Sequence, residues 1–364
     1  KHGYTAFLTG AAVQNLLQGI KPKDFDLVTN AGQNRIKRLY SNAFIIGRRF
    51  RLAHLHFSGG KIIELASFRR APDQEGEGTH ENGGGRPRAG GNPMEDAFLR
   101  DISINSLYYD VATASVIDYV HGLKDLAEKR IRIIGNPEIR FSEDAVRILR
   151  VIRHSARLGF SIEKKTEAAI YSHRHLLADY AGSRLYEEMN KDLTFSSSFV
   201  FEAFIKYGIL KYLIGSIGEF YQADEKTSSK LLSLLKAKDR AALSGENISP
   251  EENYSMLLWF WVEKRFINEK GDLVNVLNDN ISASLSGITL PRKVRSGSIH
   301  ILILLRKFNK ALYTGRMRTS WLRHRSYISA SRIFYLVKKG RLPEAGESFE
   351  GFFRRSFRSH RHSN

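Results

Sequence analysis

The sequence predicts an α+β protein: a small mixed α/β head, then an all-helical body, then a basic C-terminal tail. Three observations carry this. Short apolar runs punctuated by glycine fill the first part of the chain, helical periodicity sets in at Glu143, and positive charge accumulates toward the end.

Taken in order, "YTAFLTG" has the composition of a strand running into Gly10, "AAVQNLLQG" that of a short helix closed by Gly19, and "DFDLVTN" that of a second strand. Strand-like runs follow at "AFIIG", "RLAHLHF" and "KIIELASF", separated by Gly47 and the Gly59-Gly60 turn, so antiparallel hairpins are expected. The segment Gly76 to Asn92, "GEGTHENGGGRPRAGGN", cannot build a core and is expected to be a mobile loop. In "EDAVRILRVIRHSARLGF", Val146, Leu149, Ile152 and Ala156 fall on one helical face. Helix-like blocks continue to about Lys339, and no internal repeat is found.

The 364 residues, 42% of them apolar, suffice for two or three domains. With no cysteine, the chain has neither a disulfide framework nor a thiolate metal site, which accords with a reducing cytoplasm. The longest apolar stretches, such as "IHILILL", fall well short of the roughly 20 residues a membrane helix needs, and no signal peptide is visible. The chain enters a strand almost at once after Lys1, so residues upstream of it are expected.

The net charge of +19 points to polyanionic partners. Residues 301–364 hold fifteen Lys and Arg against three Glu, which leaves only +7 for the first 300 residues. There the basic side chains interleave with aromatics, in "RSYISASRIFYLVKK" and "FFRRSFRSHRH", offering phosphate contacts together with stacking surfaces for unpaired bases. Arg354, Arg355, Arg358 and Arg361 are the candidate RNA contacts of the tail. A basic solvated helix with a loose end would have the same composition.

In the head, Asp24 and Asp26 stand two apart in "IKPKDFDLVTN". On a strand, positions i and i+2 share a face, so two carboxylates there converge, as hard divalent cations require. Pro22, Lys23 and Asp24 would equally suit a solvated turn. Gly10, at a strand-to-helix turn, leaves room for backbone N–H groups to approach a phosphate. Glu64 lies in an apolar run, "IIELA", where a carboxylate needs a partner or a solvent-facing edge, and its facing is ambiguous.

These residues also carry a resemblance. "AFLTGAAVQNLL", "KPKDFDLVTNA", "LRDISINSLYYD" and "RFSEDAVRILRVIRHSARLGF" resemble, in order, motifs of the class II tRNA nucleotidyltransferase and bacterial poly(A) polymerase family, over roughly Tyr4 to Leu193. The resemblance implies a nucleotidyltransferase head in which Asp24 and Asp26 hold two catalytic Mg²⁺ ions and Glu64 is the third strand carboxylate. It further implies that Gly10 and Ala11 belong to the phosphate-contacting turn, and that Arg100, Asp101 and Asn105 recognise the ribose. Glu143, Asp144 and Arg147 match its Glu-Asp-x-x-Arg motif, with Asp144 and Arg147 offering hydrogen bonds to the base of ATP from neighbouring helical positions. Arg150 continues the arginine series one turn on. The implied organisation is a catalytic head over residues 1–135 with a flexible loop at 71–93, a base-recognising neck over 136–215, an RNA-binding helical body over 216–340 and a flexible basic tail over 341–364.

Departures from the pattern bear on activity. Gln14 and Asn15 replace a charged pair, Leu99 stands where the first arginine of the ribose motif belongs, and Ala145 replaces a frequent proline. Within the family, "IIGRRFRLAHLHF" resembles the signature of the poly(A) polymerase branch. The expected function is therefore template-independent addition of AMP from ATP to RNA 3′ ends, by a cytoplasmic monomer that touches no membrane. CCA addition to tRNA is the alternative, and a catalytically weakened RNA-binding protein the second.

Overall fold

The computed structural model describes residues 2–47, 52–71, 88–266, 268–269 and 271–361, the side chains of 88 and 357–361 excepted. It divides into two compact units, Lys1–His173 and Arg174–Asn364.

The first unit runs β1 (Ala6–Thr9), α1 (Ala11–Leu17), β2 (Asp26–Thr29), α2 (Gln33–Leu39), β3 (Ala43–Ile46), β4 (Leu52–His56), β5 (Ile62–Ser67), β6 (Arg69–Arg70), β7 (Arg88–Ala89), α3 (Pro93–Phe98), β8 (Leu107–Asp110), β9 (Ser115–Asp118), α4 (Gly122–Ala127), β10 (Arg130–Ile131), α5 (Pro137–Glu143), α6 (Val146–Leu158), β11 (Ser161–Ile162) and α7 (Lys164–His173). Seven strands make one mixed sheet in the order β3-β4-β5-β2-β1-β8-β9. The hairpin expectation holds for β3–β4 and β4–β5, which are antiparallel. Strands β2 and β5 pair in parallel, a relation no local pattern announces, and this sets Asp26 opposite Glu64.

Alternation along the strands buries one set of side chains on each face of this sheet. On one, Ala31, Ile36, Ala43, Ala53, Leu55 and Leu65 form a core with α2, and Leu8, Ala12, Val13 and Leu107 form another with α1. Phe7, Val28, Phe68, Ala97 and Tyr108 make a third cluster that takes in α3. That helix starts on a full capping box, Asn92 with Glu95, and has proline at its first turn.

Two expectations change here. The far end of the predicted mobile loop is ordered, because β7 pairs with β6 and Asn92 caps α3; residues 72–87 lie outside the described residues. The helix expected from Glu143 is instead two helices. Glu143 ends α5, Asp144 is extended (φ −155°, ψ 92°), and α6 begins at Val146. The Asp144 carboxylate accepts the Val146 N–H at 3.1 Å, and such a bond at a helix entry competes with continued helix. Within α6 the predicted face is buried at Val146, Leu149 and Ile152 and half-buried at Ala156. Gly159 in the left-handed region closes the helix.

The second unit is helical: α8 (Gly182–Asp192), α9 (Ser197–Lys206), α10 (Leu210–Ala223), α11 (Glu225–Leu243), α12 (Pro250–Phe266), α13 (Leu273–Ser284), α14 (Arg292–Thr314), α15 (Tyr327–Lys339) and α16 (Phe349–Arg361). The middle of helix α12, Met256 to Val262, is apolar on every side and buried, with α11, α14 and α15 packed against the helix. The tail, expected to be loose, is helical over α16. Phe349 is fully buried and stacks on Phe308 (ring centroids 3.8 Å apart, planes at 8°), while Phe352 meets Phe334 edge-on. Burying Phe349 and half-burying Phe352 offsets the entropy of ordering the segment. Among the described residues no helix is long and apolar enough to cross a membrane.

Candidate active site

The head sheet aligns the carboxylates. Thr9 pairs with Asp26, Asp26 with Glu64, Glu64 with His54, and His54 with Phe44, so one row of side chains crosses five strands. Directly paired residues project from the same face. Glu64 therefore faces Asp26's side, and its side chain is half exposed. Asp24 is placed differently from the expectation: it sits in an exposed bend just before β2, so strand alternation does not aim it. It is nevertheless close enough for its charge to act on Asp26.

Gly10 follows β1 at φ 70°, ψ −146°, a conformation closed to other residues. A Cβ there would come within 3.2 Å of Asp26 Oδ2, so glycine also keeps space open at that oxygen. Ala11 begins α1, whose entry has no side-chain cap, leaving its first N–H groups to other acceptors. Gln14, at the place of the missing charge, is buried.

Burial raises the Asp26 pKa, and Glu64 and then Asp24 push it further, Arg100 opposing them. Concentrated negative charge on hard oxygen atoms fits a divalent cation. Among the described residues no three His, Cys, Asp or Glu side chains are grouped to hold a metal ion by themselves.

Arg100 is fixed by a residue that sequence reading missed. Asp96, 1% exposed, accepts from Arg100 Nε (3.0 Å), Arg69 Nε (2.6 Å) and the Tyr108 hydroxyl (2.8 Å). Burial would raise its carboxyl, but Arg100 and Arg69 outweigh that and hold it below the ordinary range. The signal was present as an i, i+4 acid–arginine pair in "EDAFLR".

Asp101 is clamped by Arg150 Nη1 at 2.6 Å and Arg147 Nε at 3.0 Å. Against the upward push of burial, these two guanidinium groups keep its carboxyl low. Arg147 Nη1 also donates to Glu143 (2.9 Å) and to the Arg140 carbonyl (2.7 Å). The structure thus joins the Arg147 side chain to Asp101 and Glu143, while the Arg147 backbone N–H donates to the Asp144 carbonyl at 3.1 Å, which sets Asp144, just after α5, one turn before it. Asn105 approaches His154 Nε2 at 3.4 Å, and its Oδ1 is buried without a hydrogen-bond donor among the described residues, as an acceptor for a ligand hydroxyl would be.

In the second unit, Arg354 donates to Glu350 (3.0 Å from Nε), and Arg355 reaches toward the Tyr335 hydroxyl (3.4 Å) and Glu347 (3.9 Å); both side chains are mostly exposed. Arg358 and Arg361 have side chains outside the described residues, as are residues 48–51 of the "IIGRRFRLAHLHF" stretch.

Comparison with known proteins places the chain in a family. Residues 6–132 match the family described as the Poly A polymerase head domain, and residues 159–218 match the probable RNA and SrmB-binding site of polymerase A. The chain is 34% identical to the poly(A) polymerase I of Salmonella typhi, over 81% of this chain and 67% of that protein. A CCA-adding enzyme of Bacillus pumilus is 32% identical over 52% of this chain and 46% of its own length. In fold, the chain superposes on the Bacillus stearothermophilus CCA-adding enzyme in complex with CTP with a TM-score of 0.68 at 23% identity, covering 98% of this chain and 79% of that one. On these grounds the chain belongs to the bacterial poly(A) polymerase family and is a nucleotidyltransferase.

Proposed function

We propose that this protein adds AMP from ATP to RNA 3′ ends without a template. The observation that carries the reading is the Asp26–Glu64 pairing beside Asp24, in a chain that aligns with poly(A) polymerase I over 81% of its length. The RNA 3′-hydroxyl gives up its proton to water, its oxygen forms a bond to the α-phosphorus of ATP, the bond from that phosphorus to the oxygen bridging to the β-phosphate breaks, and pyrophosphate leaves. Mg²⁺ ions, two on this reading, would be held by Asp24 and Asp26 and would supply the positive charge that the attacking and departing oxygens need.

The protein's own residues position the reactants. Gly10 and Ala11 offer backbone N–H groups to the triphosphate at the entry of α1. Arg100, held by Asp96, sets a fixed cation near Asp26. Asp101 and Asn105 face the ribose, Arg147, Asp144 and Arg150 the base. Residues 136–215 would present the base-reading groups, 216–340 would hold RNA, and Arg354 and Arg355, with Arg358 and Arg361, would contact its phosphates. A cytoplasmic setting and a monomeric enzyme complete the reading.

The fold match to a CCA-adding enzyme favours one second reading, CCA addition to tRNA. Incubating the protein with Mg²⁺ and each NTP separately, on a short single-stranded RNA and on tRNA lacking its CCA end, decides between them. Long adenylate tails on the short RNA are expected. Addition confined to tRNA, with C before A, would select the second reading, and RNA binding without extension would remove both.

A further inference from the structure

We propose that Phe44 and His56 form a stacking platform for a base near the RNA 3′ end, built by the head sheet beside the carboxylates. The proposal rests on the polyadenylation reading and gives its RNA substrate a place in the head.

The row containing Asp26 and Glu64 does not stop at the carboxylates. It continues through His54 to Phe44 on β3, the edge strand of the sheet. Phe44 is 58% exposed, and His56 meets it edge-on at 5.0 Å between ring centroids. Ile46 and Ile62, which share this face by the two-residue period of their strands, are also exposed. An apolar and aromatic shelf is thus continuous with the acidic row. Between them His54 Nε2 lies 3.3 Å from Glu64 Oε1, without the alignment of a good hydrogen bond and with no other hydrogen-bond partner among the described residues.

Two arguments identify the occupant. Strands lie about 4.8 Å apart, which puts Phe44 about 10 Å from Glu64 and about 14 Å from Asp26 along the row. At about 3.4 Å per stacked nucleotide, the shelf falls within about four nucleotides of the reacting 3′-hydroxyl. A permanent protein partner seated on Phe44 would also crowd the neighbouring carboxylates, whereas a substrate strand comes and goes. Flat exposed rings next to a catalytic row suit unpaired bases of any sequence. Both histidines lie in the "RLAHLHF" run that resembles the poly(A) branch signature, so the platform gives that run a physical role.

The test uses the full chain and a short single-stranded RNA carrying 2-aminopurine at each of its last four positions in turn. Binding should quench the fluorophore at one or two of these positions in the wild type. The Phe44→Ala/His56→Ala double variant should lose that quenching, and Phe44→Trp should keep it. With ATP saturating, the KM for RNA should rise about tenfold in the double variant while the KM for ATP stays constant, as loss of one stacked base predicts. Unchanged quenching and unchanged RNA KM, in a double variant that melts like the wild type, would overturn the platform. So would a wild-type dimer that the double variant dissociates with no effect on quenching, since the shelf would then be a contact between copies. Failure of the wild type to extend any RNA would instead remove the polyadenylation reading, and the quenching pattern would still judge the platform.

Discussion

Asp26 and Glu64 are paired residues of the parallel strands β2 and β5, and the Glu64 charge is, after burial, the largest contributor to the raised Asp26 pKa. The fold holds two carboxylates together against their repulsion, which weakens the protein and, on the proposed function, would serve a bound cation.

Asp26→Asn should therefore separate stability from activity. Removing a charge that burial and two carboxylates disfavour should raise the melting temperature in the absence of metal, with a gain of about 1 kcal/mol. Nucleotide addition should fall by about a thousandfold or more. Mg²⁺ should raise the melting point of the wild type and not of the variant. Thermal melts with and without Mg²⁺, beside an extension assay, check all three; near-normal turnover would sink the assignment of Asp26. Asp24→Ala should abolish addition likewise while leaving RNA binding intact.

Arg147→Ala should relax the preference for ATP more than it slows turnover with ATP, because a site stripped of a specifying donor loses discrimination. Arg147→Lys should not restore it. The native side chain uses Nε for Asp101 and Nη1 for Glu143 and the Arg140 carbonyl, a fork that an ammonium group cannot reproduce. Relative rates with ATP, CTP, GTP and UTP decide; unchanged ratios would leave Arg147 as a structural ion pair.

His154 should give the protein an acid-sensitive window. Burial, then Arg153 and Arg157, push its pKa down to about 4, with Asp101 opposing and Arg150 adding to the shift. The unfolded chain takes up that proton first, so stability present above the unfolded pKa, near 6.5, is lost as pH falls toward 4. The loss attributable to this residue is on the order of 3 kcal/mol. Urea unfolding of the wild type and His154→Gln across this range should show a shallower pH dependence for the variant; parallel curves would contradict the coupling.

The tail arginines and tail phenylalanines should act on different quantities. Arg354→Gln with Arg355→Gln should lower the salt slope of log K for single-stranded RNA by about 1.4, at roughly 0.7 per phosphate contact, without moving the melting point. Phe349→Ala, which removes a fully buried ring stacked on Phe308, should cost about 3 to 5 kcal/mol of stability. RNA titrations at several salt concentrations and urea unfolding measure the two effects. Identical salt slopes would make the arginines bystanders.

Much of the fold could be read from local pattern. The glycine-punctuated apolar runs are strands β1 to β5, the stretch after Gly10 is α1, and the apolar face of α6 is where its period places it. Such features depend on residues a few positions apart, whose side-chain spacing the backbone sets. The family was legible for the same reason, since its motifs are short and ordered along the chain. What the sequence could not decide were relations between segments far apart in it. Nothing near residue 26 or residue 64 says that β2 and β5 lie side by side, or that they run parallel; packing of both sheet faces against α1, α2 and α3 decides that. Asp24 shows the limit of strand periodicity, because the chain reaches its strand geometry only at Asp26. Asp144 shows the limit of helix periodicity, since its carboxylate takes the Val146 N–H and the helix expected from Glu143 starts only at Val146. Asp96 as the anchor of Arg100, and Phe349 as the wedge that fixes a basic tail, likewise emerge only once burial forces each polar group to find a partner and each large ring to find a core.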